Sequence, residues 1–193
     1  MTDVKIVKRK TDLLCFTFKK DNILFFGKLF YIDNNDKLKE EYNREVKINK
    51  YILENIEDLS YYTKLLEIYE NIFPFDFILK FVKDKNLLCN ILIFEHSGFH
   101  TLRYYINKLS SKNFNNILED LKKATKYLED INIIHYDLYC ESNIMLKKIN
   151  NKWVIKIIDY GLAYIDETDK SNYDYNIALD SIKVYNKKHI ISF

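Results

Sequence analysis

The stretch His135-Tyr136-Asp137-Leu138-Tyr139-Cys140-Glu141-Ser142-Asn143, followed further on by Asp159-Tyr160-Gly161, decides the reading of this chain. A polar loop lies here between the apolar run Ile131 to Ile134 and a strand at Ile144 to Leu146. Ile149 to Lys152 then makes a turn into a second strand, Trp153 to Ile158, so a β-hairpin separates the loop from the triplet. A loop carrying Asp137 and Asn143, backed by a hairpin ending in Asp159, gathers three oxygen donors around one small cavity. Such donors suit hard cations, and a carboxylate among them suits the orientation of a hydroxyl.

Upstream, Asn115 to Asp130 is plainly helical, with Ile117, Leu121, Ala124 and Leu128 as an apolar stripe. Glu119, Lys122, Lys123 and Lys126 serve its wet face. Thr101 to Leu109 reads as a short helix. Leu87 to Phe94 reads as a buried strand running into Glu95-His96-Ser97-Gly98. Tyr61 to Ile72 and Phe75 to Val82 fit either strand or helix, and Pro74 separates them. The first third reads as strands at Val4 to Val7, Leu13 to Phe18 and Ile23 to Ile32, with a turn at Lys19 to Asn22. Asp33-Asn34-Asn35-Asp36 supplies capping residues for a helix over Lys37 to Leu53, which aligns Leu38, Tyr42, Glu45, Asn49 and Ile52 on one face.

At 193 residues, the chain has the length of one domain or of two small lobes sharing a core. A hydrophobic share of 48% with 30% charged residues excludes wholesale disorder. The formal charge of +2 is too near neutrality to support a nucleic-acid partner. The basic cluster Lys5, Lys8, Arg9 and Lys10 reads as a solvated strand edge rather than a phosphate-binding patch. Cys15, Cys89 and Cys140 are odd in number and lack metal-type spacing, which argues against a disulfide framework or a zinc site. No stretch approaches a membrane span, and the N-terminus lacks a signal-peptide core, so a cytoplasmic setting is expected.

The loop and triplet resemble the protein-kinase pattern of H-R-D-L-x-x-x-N followed by D-F-G. By that resemblance Asp137 is the catalytic base, while Asn143 and Asp159 hold magnesium. The plan also implies a strand lysine on the ATP phosphates and a helix glutamate to hold it, for which Lys28 and Glu45 are the candidates. Glu41, one turn earlier, is the substitute partner. The strand ending at Phe94 resembles the hinge between lobes, with Phe94 at the back of the nucleotide pocket and backbone groups near Glu95 and Ser97 meeting the adenine. His96 and His100 read as surface or hinge histidines, not metal ligands.

Four departures set this sequence apart. No glycine-rich loop exists, the glycines being Gly27, Gly98 and Gly161, so Lys8 to Asp12 must cover the phosphates instead. Asn143 lies six positions beyond Asp137, one more than in the family, so either the loop bulges or Ser142 takes the Asn position. Tyr136 replaces the usual Arg, and Tyr139 stands where Ser/Thr kinases carry Lys. Only 32 residues follow Gly161, without Pro, so Asp174 or Asp180 is left to anchor one remaining helix through Tyr185. In this the chain resembles small atypical kinases such as those of the tRNA-modifying KEOPS complex.

The expected fold is α+β, a two-lobed kinase-like domain over 1–193, with a β-rich N-lobe to about residue 95 and a reduced, mainly helical C-lobe from about residue 96. The expected activity is ATP- and magnesium-dependent phosphoryl transfer to a protein or small-molecule acceptor, and a partner protein could complete the short C-lobe. The alternative is a pseudokinase, a nucleotide- or protein-binding module or kinase inhibitor.

Overall fold

The computed structural model describes residues 2–10, 12–31, 35–82, 84–98, 100–166 and 172–189. Two compact units emerge, Met1–Asn43 with Lys64–His96, and Arg44–Thr63 with Ser97–Phe193. The fold is α+β, a β-rich sheet unit and a mainly helical one.

In the first unit, β1 (Thr2–Arg9), β2 (Leu13–Lys20), β3 (Ile23–Phe30), β4 (Leu65–Ile72) and β5 (Cys89–Glu95) form an antiparallel sheet ordered β1-β2-β3-β5-β4. The β2–β3 hairpin turns at Asp21-Asn22, whose φ values of 52° and 64° give the left-handed pair that matches strand twist. β1 is an edge strand, and its Lys5 and Lys8 are exposed, as is Lys10 just beyond it, which discourages pairing with another chain.

Strand alternation sends Leu14, Phe16, Phe18, Leu29, Ile91 and Ile93 to one face, where Phe75, Phe77 and Phe81 cover them. The 75–82 stretch, legible as either strand or helix, is neither in the main. It makes a 3-10 turn at Asp76–Ile78 and lays its aromatics on the sheet, Phe77 lying 6.2 Å from Phe16 and 5.4 Å from Phe75. Asn35 caps helix α1 (Asp36–Asn55), its side-chain oxygen accepting from the Leu38 N–H at 3.0 Å. Asp33 and Asn34, read as capping residues with it, lie outside the described residues. All five residues of the expected α1 face are buried, Leu38, Tyr42, Glu45, Asn49 and Ile52.

The second unit is organised around helix α3 (Ser111–Asp130), capped by Ser110, whose Oγ accepts from Asn113 N–H at 3.3 Å. Its stripe of Ile117, Leu121, Ala124 and Leu128 is fully buried. Around it lie α2 (Leu102–Tyr105), α4 (Tyr173–Tyr185), a sheet of β6 (His100–Thr101), β8 (Ile144–Ile149) and β9 (Lys152–Ile157), and the pair β7 (Ile133–Ile134) with β10 (Tyr164–Ile165). Tyr62 enters this core and donates its hydroxyl to the Ala124 carbonyl at 2.6 Å. The buried Lys156 ammonium donates to the Tyr62 carbonyl at 3.0 Å, so the charge is not left bare. Among the described residues, no helix is long and apolar enough to cross a membrane.

Gly27 must be glycine for a packing reason. A Cβ there would stand 2.3 Å from Cζ of Phe16, a fully buried ring hemmed in by Phe18 and Phe77. Gly27→Ala is therefore expected to destabilise the protein by about 1–3 kcal/mol in urea unfolding, as overpacked cores do. Cys15, Cys89 and Cys140 are buried and form no disulfide, and burial pushes the Cys140 thiol up to about 11. A thiol reagent at pH 8 should leave the native protein unlabelled and titrate all three cysteines once guanidinium unfolds it.

Candidate active site

The site is best built upward from α4. Asp174, in its first turn, and Ser181, seven residues on, are two polar residues on an otherwise apolar helix face, and both are buried. The Asp174 carboxylate accepts from the backbone N–H groups of His135 at 2.7 Å and Tyr136 at 3.1 Å. Burial holds its pKa above the usual carboxylate range, while these two bonds pull the other way. Ser181 Oγ accepts from the Cys140 N–H at 2.9 Å and passes its own proton to the Ala178 carbonyl at 2.9 Å. Helix α4 thus grips the 135–140 loop at both ends. Of the two anchors the sequence offered, Asp174 performs this role, whereas Asp180 is exposed and pairs with Lys183.

Between those grips Leu138 and Cys140 are fully buried, which pins the loop from below. His135 is buried as well, with Nε2 3.0 Å from the Ile158 carbonyl. A carbonyl can only accept, so Nε2 carries the proton. The extra residue is taken up in a turn, the Tyr139 carbonyl accepting from Ser142 N–H at 3.2 Å and Asn143 N–H at 3.0 Å. That turn delivers Asn143, and not the exposed Ser142, to Asp137. The Asn143 amide donates to the Asp137 carbonyl and to Asp137 Oδ2, each at 2.7 Å. Asn143 is buried, and its carbonyl accepts from Ile158 N–H at 3.1 Å, tying loop to hairpin.

The hairpin β8–β9 ends at Asp159, which adopts φ 67° and ψ 74° and begins a 3-10 turn over Tyr160–Leu162. A non-glycine residue held there carries strain of about 1–3 kcal/mol. Tyr160 anchors the turn in the core. Its ring lies 5.0 Å from that of His135, and burial raises its phenol well above the ordinary value. Arg44, on α1, donates Nη1 to the Gly161 carbonyl at 3.0 Å. The following residues pair as β10 with β7, just ahead of His135.

Lys28 and Glu45 are both almost wholly buried, Lys28 on β3 opposite Cys15 and Leu92, and Glu45 on α1. Glu41 is only half-buried. Phe94 lies near the end of β5, buried and opposite Phe26, their rings 6.3 Å apart. Glu95 donates its N–H to the Lys64 carbonyl at 3.0 Å, and Ser97 is buried against Thr63 through a hydroxyl–hydroxyl bond. Phe99, in the same stretch, lies outside the described residues, as does Thr11 in the segment expected to cover phosphates. The loop grip of Ser181 and the contacts of Arg44 escaped the sequence reading. Ser181 had a signal, its spacing of seven from Asp174 on an apolar face.

Residues 17–184 match the family described as protein tyrosine and serine/threonine kinase. Among curated relatives, the chain is 37% identical over 76 residues to a probable serine/threonine-protein kinase, fnkB, of Dictyostelium discoideum, covering 38% of this chain and 14% of that one. It is 33% identical over 103 residues to the serine/threonine-protein kinase tousled-like 1 of Caenorhabditis elegans, covering 51% and 10%. It is 32% identical over 89 residues to the receptor tyrosine-protein kinase erbB-2 of Mesocricetus auratus, covering 42% and 7%. The chain therefore spans a small fraction of the length of the relatives it matches. With most of its length matched, from the second strand to the last helix, the chain belongs to the protein tyrosine and serine/threonine kinase family.

Proposed function

We propose that this chain is an ATP- and magnesium-dependent phosphotransferase of the serine/threonine type, with Asp137 orienting the acceptor hydroxyl. The observation that carries the reading is the pair of hydrogen bonds from the Asn143 amide to Asp137. It spends the nitrogen end of Asn143 inward, leaving its side-chain oxygen as the end that could face a cation. It also fixes Oδ2 of Asp137, so that Oδ1 is the oxygen to receive the hydrogen of an acceptor hydroxyl.

Asn143 and Asp159 supply oxygen alone, the donor type that magnesium prefers. Among the described residues no three His, Cys, Asp or Glu side chains gather to form a metal cage. That fits an ion held by one or two protein oxygens and completed by substrate phosphates. Bound there with the triphosphate, magnesium would neutralise charge on the transferring group. Lys28 would hold phosphate and Glu45 would position Lys28. Phe94 and the backbone near Glu95 and Ser97 would receive the base. The acceptor is a hydroxyl on a protein or small molecule. Buried cysteines outside any disulfide favour a cytoplasmic or comparable reducing setting.

One observation favours the second reading, a pseudokinase that binds nucleotide or protein without transfer. The turn between β1 and β2 holds no glycine, and the Lys10 N–H is committed to the Leu13 carbonyl at 2.9 Å. An amide so engaged does not bind phosphate.

Asp137→Asn is expected to lower γ-phosphate transfer by about 10²–10⁴-fold with nucleotide binding retained, and Asp159→Ala to remove the magnesium dependence of nucleotide binding. Thermal shifts with ATP, with and without magnesium, and transfer to a generic protein acceptor measure both. A magnesium-dependent shift without any transfer establishes the binding module instead. Asp174→Ala strands the buried His135 N–H and the part-buried Tyr136 N–H and should cost about 2–4 kcal/mol in urea unfolding, whereas the exposed Asp180→Ala should stay within about 0.5 kcal/mol.

A further inference from the structure

Among the described residues, nine other than glycine have positive φ, and eight of them are Asp or Asn. The ninth is Tyr136, at φ 63°, in the middle of the catalytic loop. Asp and Asn tolerate this region through short side chains that bond locally, an option closed to tyrosine. A bulky residue stays there only when its surroundings over-determine it. The Asp174 carboxylate does part of this by taking the Tyr136 N–H. The ring does the rest, standing edge-on to Tyr164 at 5.7 Å and tilted against Tyr173 at 5.3 Å.

Tyr164 is itself held. Its backbone pairs with Ile134, and the Arg44 guanidinium lies 4.2 Å from the centre of its ring. The same guanidinium bonds the Gly161 carbonyl, two residues beyond Asp159. A planar guanidinium can do both at once, donating in its plane while its face covers a ring. Arg44, Tyr164, Tyr136 and Tyr173 thus run as a continuous stack from α1, over the segment after Asp159, to the catalytic loop and the start of α4.

We propose that Arg44 and Tyr164, braced by Tyr136, are positioning residues that hold Asp159 in its left-handed conformation and so aim its carboxylate. The inference rests on the reading of Asp159 as a metal ligand. The stack needs no charged modification on the segment it holds, because one aromatic face and one carbonyl receive the arginine. It also makes α1 report to Asp159 through Arg44, the residue next to Glu45.

Hydrogen exchange on the full chain, compared for wild type, Arg44→Met, Tyr164→Ala and Tyr164→Phe, tests the clamp. Losing the cation–π contact, together with the Gly161 hydrogen bond in Arg44→Met or with the edge contact to Tyr136 in Tyr164→Ala, should speed exchange of the Tyr160–Ile165 amides by about tenfold in each variant. Tyr164→Phe, which keeps the ring, should match wild type, and the α3 amides should be unchanged throughout. In the same two variants the magnesium concentration that half-saturates the ATP-dependent thermal shift should rise several-fold, with the magnesium-free shift unaltered. Unchanged exchange at 160–165, or equal acceleration in α3, overturns the proposal. So does an unchanged magnesium requirement in the clamp variants when Asp159→Ala abolishes it. If Asp159→Ala instead keeps the wild-type magnesium response, the metal reading of Asp159 fails, and the aiming role falls with it even where the segment opens.

Discussion

The carboxylate of Asp174 is buried in the first turn of α4, where it accepts hydrogen bonds from two consecutive backbone N–H groups of the 135–143 loop. Removing a charge from water is expensive unless hydrogen bonds replace the lost hydration, and here the loop supplies them. The dependence runs outward from that pair. With His135 and Tyr136 pinned, the His135 ring reaches the Ile158 carbonyl, which fixes the end of β9. Asp159 follows directly. Ser181 secures the far side of the loop at Cys140, so that the turn bringing Asn143 to Asp137 starts from a fixed point. One helix of 13 residues therefore supports both oxygen-bearing segments.

What could be read in the sequence was periodic or ordered along the chain. The α3 stripe and the α1 face follow from a 3.6-residue repeat in which burial and spacing agree. The hairpin between Asn143 and Asp159 follows from two strand-like runs around Asn150-Asn151. The loop and triplet were legible because their chemistry sits on contiguous residues. Less accessible was the 73–82 region, where Phe75, Phe77 and Phe81 cover the sheet from irregular backbone. No repeat announces such packing, because a 3-10 turn and its flanks set each ring separately. The loop register also needed the structure. Only hydrogen bonding in the Tyr139 turn decides between Ser142 and Asn143. The contacts of Arg44 join residues about 120 positions apart and leave no local trace.

Some departures from local rules fall where chemistry is expected. Asp159 and Tyr136 carry left-handed backbone, Tyr160 keeps a hydroxyl without a protein partner in an apolar core, and His135 keeps an unpartnered Nδ1 beside it. Elsewhere among the described residues His189 Nδ1 is also without a hydrogen bond, whereas Asn49, Thr125 and Lys156 bond backbone carbonyls. Such clustering of strain and unmet hydrogen bonding is what a scaffold tolerates when a geometry is kept for something other than stability.

The hairpin turns at Asp21-Asn22 and Asn150-Asn151 have a consequence of another kind. Both place asparagine or aspartate where glycine would adopt the same backbone with less steric resistance. Glycine would also leave the denatured chain freer at each turn, and that freedom would be lost on folding. The short polar side chains narrow the conformations open to the denatured ensemble, so part of the folding entropy is never there to lose. A chain with only three glycines in 193 residues thereby draws some of its stability from what its unfolded state cannot do.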